Sequence, residues 1–128
     1  AQILAGLRAP LGLAIASAGE VYVGEMMGGQ LLRVNVESGA SAVVAKGLDR
    51  PQGIAVASDG SVLVLEVGRK QLTRVDPKTG TASVVARDLP VGLENVPITT
   101  AGVAAGANGA IYVTSDVENS IWKLVPRR

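Results

Sequence analysis

The chain has 128 residues, a formal net charge of +1, and neither cysteine nor histidine. These absences exclude disulfides, thiolate chemistry and cysteine zinc sites, and they remove the commonest general base and metal ligand of proteins. Lys and Arg are scattered without a basic stripe, and no apolar run approaches the roughly 20 residues of a membrane span. We therefore expect neither a nucleic acid nor a membrane as partner.

The chain opens with Ala1-Gln2, which is compatible with the residues left after signal-peptide cleavage. This gives a periplasmic or secreted location as an expectation. Residues 10–25 then read as two short strands joined by a tight turn. Val, Ala, Leu, Ile and Gly dominate the chain, and this composition favours strands over helices.

The same two-strand pattern recurs 41 residues later, at residues 51–66, and in a less similar form at residues 101–115. Each unit contains four strand-like runs and no helical period, which is typical of a β-propeller blade. The sequence predicts a single all-β domain with three blades, at 8–46, 47–87 and 88–128. The third blade contains eight extra residues within 90–100, before its first strand, and it lacks its outer strand.

Residues 1–7 align at the same offset of 41 with residues 42–48, the outer strand of the first blade. They therefore predict an outer strand with no blade in front of it. Propellers typically close with four to eight blades, so three blades need three more. We expect a six-bladed homodimer in which residues 1–7 of each chain complete the third blade of the other. The alternative is that the chain is one half of a longer propeller.

Residues 47–66 and 71–76 resemble the NHL repeat, and the resemblance extends over nearly the whole chain. The family usually has Asp where this chain has Glu25, Glu66 and Ser115. The resemblance implies a six-bladed propeller with a central channel and no single activity. Proteins of this kind include binding scaffolds, lyases and gluconolactonase-like enzymes, which bind a divalent metal in the channel.

Three acidic residues, Glu25, Glu66 and Asp116, follow the second strand of each unit. A ring of carboxylates could hold a hard cation such as Ca²⁺. The alternative is that each carboxylate caps the loop after its strand by accepting backbone N–H bonds, and the repeat pattern favours this capping role.

The insertion at 90–100 is the best candidate binding segment, because extra residues in one repeat often lie on the binding face. Its oxygen-bearing residues and two residues of the equivalent loop form the predicted ligand site: Glu94, Asn95, Thr99, Thr100, Arg50 and Gln52. Its apolar residues, Val91, Leu93, Val96 and Ile98, equally predict a plug over the channel. Glu94 could act as a general base if it is buried.

These patterns lead to three functional hypotheses. The first is a non-catalytic, cofactor-free propeller that assembles as a dimer and binds a small ligand or partner at the channel face. The second is a gluconolactonase-like hydrolase that uses a divalent cation such as Ca²⁺. The third is a half-propeller without activity of its own. No catalytic residue can be assigned from the sequence.

Overall fold

The fold is described from a computed structural model, for residues 1–96 and 100–125. These residues form eleven strands and one short 3₁₀ turn, Ala107–Gly109. The strands are β1 Pro10–Ser17, β2 Glu20–Glu25, β3 Gln30–Asn35, β4 Ser41–Ala45, β5 Pro51–Val56, β6 Val62–Glu66, β7 Gln71–Val75, β8 Ala82–Ala86, β9 Val103–Ala105, β10 Ile111–Ser115 and β11 Ser120–Leu124. No helix in this part of the chain is long and apolar enough to cross a membrane.

Each sequence repeat forms one antiparallel sheet whose strands follow chain order. The first sheet has the order β1-β2-β3-β4, the second has β5-β6-β7-β8, and the third contains β9, β10 and β11. The first two sheets repeat each other in register: Leu32 pairs with Val43 in the first, and Thr73 pairs with Val84 in the second. The all-β class and the four-stranded unit predicted from the repeat are confirmed for these two sheets.

The turn before each outer strand shows why the repeat is so regular. The side chain of Asp76 accepts the N–H of Lys78 at 2.9 Å, while its carbonyl accepts the N–H of Gly80 at 2.7 Å. Asn35 has the same place in the first sheet, where its carbonyl accepts the N–H of Gly39 at 2.9 Å. Both glycines have a left-handed backbone, with φ of 74° and 75°, which explains why Gly recurs at this position of the repeat.

The core lies between the sheets rather than inside any one of them. Tyr22 and Leu31 of the first sheet pack on Ile54, Val62 and Val64 of the second. A separate cluster joins the second sheet to the third through residues that include Leu63, Leu65, Leu72, Ile111 and Val113. Each sheet therefore depends on a neighbour on each side to bury both of its faces.

Residues 1–7 are not a strand in the structure, although the sequence predicts one. The reason is physical: a strand requires a hydrogen-bonded neighbour, and this segment has none within the described chain. Its apolar side chains are still engaged, because Leu4 and Leu7 pack against Val23, Leu32 and Val34 of the first sheet.

Candidate functional site

The innermost strands of the three sheets, β1, β5 and β9, meet along a shared groove of about 370 Å³. Gln52 and Thr100, two of the predicted ligand residues, line this groove together with Leu11, Gly102 and Thr114. The structure therefore brings these two predicted residues to one place. The walls around them are mainly apolar side chains and backbone.

Gln52 is only 2% exposed, and its amide holds two inner strands together. Its side-chain oxygen accepts the N–H of Ala101 at 2.9 Å, and its side-chain nitrogen lies 3.7 Å from the sulfur of Met26. These contacts give Gln52 a structural role in addition to its place beside the groove.

The other predicted ligand residues are distributed over separate surfaces. Arg50 is exposed and belongs to a groove of about 450 Å³ beside Met26 and Met27. Glu94 and Asn95 lie in an exposed turn, so the burial that a general base would need is not met at Glu94. Thr99 lies outside the described residues.

The first half of the insertion is fixed firmly to the second and third sheets. Val91 is fully buried. The N–H groups of Gly92 and Leu93 donate to the two carboxylate oxygens of Asp116 at 2.8 and 3.0 Å. From the other side, the ammonium group of Lys70 donates to the carbonyls of Val91 and Gly92 at 2.7 and 3.2 Å. Val91 thus belongs to the core between the second and third sheets, and not to a plug over the channel.

The middle of the insertion differs from its beginning. Leu93 and Val96 are 43% and 41% exposed, although the plug hypothesis would bury them. Ile98, the remaining apolar residue of that hypothesis, lies outside the described residues. The described part of the insertion is therefore anchored at one end and open to solvent in its turn.

The three acidic residues are caps rather than a cation ring. Glu25 accepts the N–H of Arg8 at 2.7 Å, and Glu66 accepts the N–H of Asp49 at 2.8 Å. The sequence predicted that these carboxylates cap a loop, but it predicted the wrong loop. The donors belong to the connection that enters the blade before its first strand, and not to the loop after the second strand. Arg8 and Asp49 are separated by 41 residues, as Glu25 and Glu66 are, and this shared offset is the sequence signal for the two donor–acceptor pairs.

A hard cation, which the carboxylate-ring hypothesis requires, does not fit these residues. Within residues 1–96 and 100–125, no group of three acidic side chains lies close enough to hold a metal ion. Glu25 and Glu66 direct their carboxylates at main-chain donors instead, so the oxygens that a cation would need are already engaged.

Glu66 is the most heavily hydrogen-bonded carboxylate of the set. It is 1% exposed, and it accepts bonds from the Thr73 hydroxyl, the Gln71 amide at 2.8 Å and the Arg69 guanidinium at 2.6 Å. Burial raises its pKa, but the bonds from Thr73, the Asp49 N–H and Gln71, with the charge of Arg69, outweigh burial. The pKa of Glu66 is therefore below its ordinary value of 4.5.

The N-terminal segment lies against the first sheet as an outer strand of a preceding blade would. A Cβ atom on Gly39 would lie 2.6 Å from the carbonyl oxygen of Ile3. A Cβ atom on Gly80 would lie 2.8 Å from the carbonyl oxygen of Val44, in β4. Because both pairs are offset by 41, residues 1–7 have the same position relative to the first sheet as β4 has relative to the second.

The third sheet ends in an open edge at β11. A groove of about 810 Å³ runs beside it, between β8 and β11, and its apolar walls include Val84, Val85, Trp122 and Val125. Trp122 is 41% exposed and Val125 is 65% exposed. The first two sheets each have a fourth strand on this side, and the third has none among the described residues.

Comparison with known proteins identifies the fold. No family model and no curated protein matches the chain. Among solved structures, a gluconolactonase from Xanthomonas campestris has a TM-score of 0.76 at 20% identity, covering 97% of this chain and 46% of that one. The PQQ-bound aldose sugar dehydrogenase of Streptomyces coelicolor has a TM-score of 0.75 at 20% identity, covering 98% and 47%.

A WD40 β-propeller domain is also similar, with a TM-score of 0.68 at 17% identity over 91% of this chain and 36% of that one. The chain therefore spans less than half the length of each of these structures. At such identities the likeness concerns the fold alone. It confirms the fold that the repeat and the NHL resemblance predicted: the chain is built from the blades of a β-propeller.

Proposed function

We propose that two copies of this chain assemble into a closed six-bladed propeller that binds a small ligand or a partner at its channel face. The observation that carries the assembly is the position of residues 1–7, which lie against the first sheet as β4 lies against the second. In the ring, this segment remains beside the first sheet of its own chain and pairs with β11 of the other chain.

The open edge of the third sheet supports this exchange. An unpaired edge strand is a liability that β-proteins cover or pair, and ring closure removes it. Among the described residues, β11 has an unpaired edge beside an apolar groove, and the apolar segment 1–7 has no strand partner. One head-to-tail contact between residues 1–7 and β11, made twice about a two-fold axis, pairs both segments and closes the ring.

The repeat also specifies the register of the exchanged strand. Thr73 pairs with Val84 in the second sheet, and Trp122 occupies the equivalent position of the third. Subtracting the repeat offset from the outer strands places Gln2 of the second copy opposite Trp122. Because the chain has no cysteine, a pair of engineered cysteines can test this register without background.

The experiment mixes two single variants, Gln2→Cys and Trp122→Cys, under mild oxidation. Side chains that face each other on paired strands have Cβ atoms about 4.5–5.5 Å apart, close enough for a disulfide after a small movement. We expect a covalent dimer in the mixture and very little in either variant alone. The double variant should stop at the covalent dimer, because a closed ring leaves no free end for longer products.

The matched control replaces Trp122 by its neighbour, pairing Gln2→Cys with Lys123→Cys. Adjacent strand residues point to opposite faces, so this pair should remain reduced. Cross-linking at equal rates in both pairs would contradict the register. A wild-type chain that remains monomeric at micromolar concentration would contradict the assembly itself.

The binding part of the proposal rests on the groove between the inner strands and the exposed insertion. Gln52 and Thr100 line that groove, and Arg50, Glu94 and Asn95 are exposed on loops near the starts of inner strands. Thr99 completes the predicted ligand set. Of these residues, Gln52 and Thr100 lie together at the groove, where their amide and hydroxyl groups suit a small polyhydroxylated ligand.

A thermal-shift panel of aldoses and aldonolactones tests this, because two structural neighbours are named for such compounds. We expect at least one compound to raise the melting temperature of the assembled protein in a concentration-dependent way. The shift should be lost in Thr100→Val, which removes a hydroxyl group from the groove that this residue lines. If every compound leaves the melting temperature unchanged, or Thr100→Val retains the shift, this ligand class is excluded from the site.

A further inference from the structure

Two glycines mark the points where neighbouring inner strands touch. A Cβ atom on Gly53 would lie 2.7 Å from the carbonyl oxygen of Ala101, at the approach to β9. A Cβ atom on Gly12 would meet the carbonyl oxygen of Gln52 in β5 even more closely. Real Cβ atoms essentially never come within 3.0 Å of another heavy atom, so no side chain fits at either point.

Gly102 is the third member of this series, at an offset of 49 from Gly53. Unlike the other two, it is exposed, and the nearest atom to its Cβ position is the Thr114 hydroxyl oxygen at 3.5 Å. Its φ lies outside the left-handed region, so its backbone alone does not require glycine. Among the described residues, nothing occupies the side of Gly102 that corresponds to the contacted sides of Gly12 and Gly53.

We propose that Gly102 is an assembly contact that receives the carbonyl oxygen of Leu11 from a second copy of the chain. The proposal rests on the dimer described above. Leu11 precedes Gln52 by the repeat offset of 41 and therefore corresponds to the residue whose carbonyl meets Gly12. The inner strands of the two copies would then pack as closely as the inner strands within one chain.

The side chains flanking this contact support a second copy as the occupant. Tyr22 faces the second sheet and is 5% exposed, whereas its equivalent Tyr112 in the third sheet is 39% exposed. Near the N-terminus, Leu13 of the first sheet is 67% exposed, whereas its equivalent in the second sheet, Ile54, is 6% exposed. In the dimer, Tyr112 of one copy and Leu13 of the other would bury each other, as Tyr22 and Ile54 do within one chain. The packing between neighbouring sheets would thus continue across the interface.

The test is the dimer dissociation constant of Gly102→Val, measured by analytical ultracentrifugation. Overpacking a tight contact should weaken binding about tenfold or more, and the ring contains the contact twice, so we expect about a 100-fold increase. Gly19→Val is the matched control, because Gly19 has no atom within 4 Å of its Cβ position and no left-handed backbone. Circular dichroism checks that both variants keep the β-fold.

A second variant covers the case in which Gly102→Val does not fold. Leu13→Glu places a charge on a residue that is exposed in the single chain and buried in the proposed interface, so it should also weaken the dimer. A wild-type dimer whose dissociation constant is unchanged by both substitutions would overturn the inner contact while leaving the strand exchange intact. A monomeric wild-type chain would overturn the proposed assembly and this contact together.

Discussion

The main-chain N–H of Asp49 donates a 2.8 Å hydrogen bond to Glu66, which ties the connection between two sheets to the end of β6. Three side chains, Thr73, Gln71 and Arg69, donate to the same carboxylate. Since Glu66 is 1% exposed and Thr73 is 3% exposed, water cannot readily take the place of this acceptor for the Thr73 hydroxyl. The acidic residue at this position of the repeat therefore works as a structural acceptor.

Replacing Glu66 by Gln should lower the free energy of unfolding by about 1–3 kcal/mol, because an amide brings its own hydrogens toward groups that donate. Urea unfolding at fixed protein concentration measures this loss. Glu25→Gln is the matched control, since Glu25 accepts from the N–H of Arg8 and, at 3.4 Å, from the amide of Gln30. Equal losses in the two variants would contradict the special role of Glu66.

The lowered pKa of Glu66 predicts a loss of stability in acid. A carboxylate whose pKa is lower in the folded state than in the unfolded chain stabilises the fold above the unfolded pKa. That contribution declines as the pH falls below the ordinary value of about 4.5 and is lost once the pH passes below the folded pKa. We expect the melting temperature to fall as the pH drops below about 4.5, with a shallower fall in Glu66→Gln. Identical pH profiles would exclude this carboxylate as the cause.

The sequence predicts the repeat, the strand order and the turns because each of these is encoded within a single repeat unit. It does not predict burial, because burial depends on which neighbour a sheet has. The strands β1 and β5 have similar apolar sequences, yet Ile54 is 6% exposed and Leu13 is 67% exposed. Only the second sheet has a neighbour on both sides within the described chain.

The candidate site was predicted less well for a related reason. Loop residues near one another in the repeat were expected to converge, but Gln52 and Thr100 share a groove that Arg50 does not line. Gly12 and Gly53 occupy equivalent positions of the repeat, at an offset of 41. Their role as contact points between sheets depends on distances that no spacing rule supplies.

Removing the carboxylate of Asp116 should loosen the insertion without unfolding the sheets. Asp116→Ala takes away both acceptors of the Gly92 and Leu93 N–H groups, and bonds to a charged acceptor contribute about 1.5–3 kcal/mol each. The exposed turn that follows should open more often and become accessible to protease. We expect cleavage after Glu94 by a glutamate-specific protease to become about tenfold faster, measured by mass spectrometry.

Glu118→Gln provides the comparison for that experiment, because Glu118 lies in the same loop with an exposed side chain. Cleavage after Glu94 should remain at the wild-type rate in this variant. A similar acceleration in both variants would mean that the loop charge matters in general, and that the two bonds from Asp116 do not hold the insertion.

Gln52→Leu separates the structural role of Gln52 from its place in the proposed ligand site. Leu11 occupies the equivalent position in the first sheet, so a leucine suits this position of the repeat and the change mainly removes the acceptor of the Ala101 N–H. Leaving that buried N–H without its acceptor should cost about 1–3 kcal/mol in the absence of any ligand. Hydrogen exchange at Ala101 should accelerate accordingly, whereas Thr100→Val, which alters an exposed side chain, should leave it unchanged. Wild-type stability and exchange in Gln52→Leu would show that the amide does not hold the inner strands, and its burial beside the groove would then favour a role in binding alone.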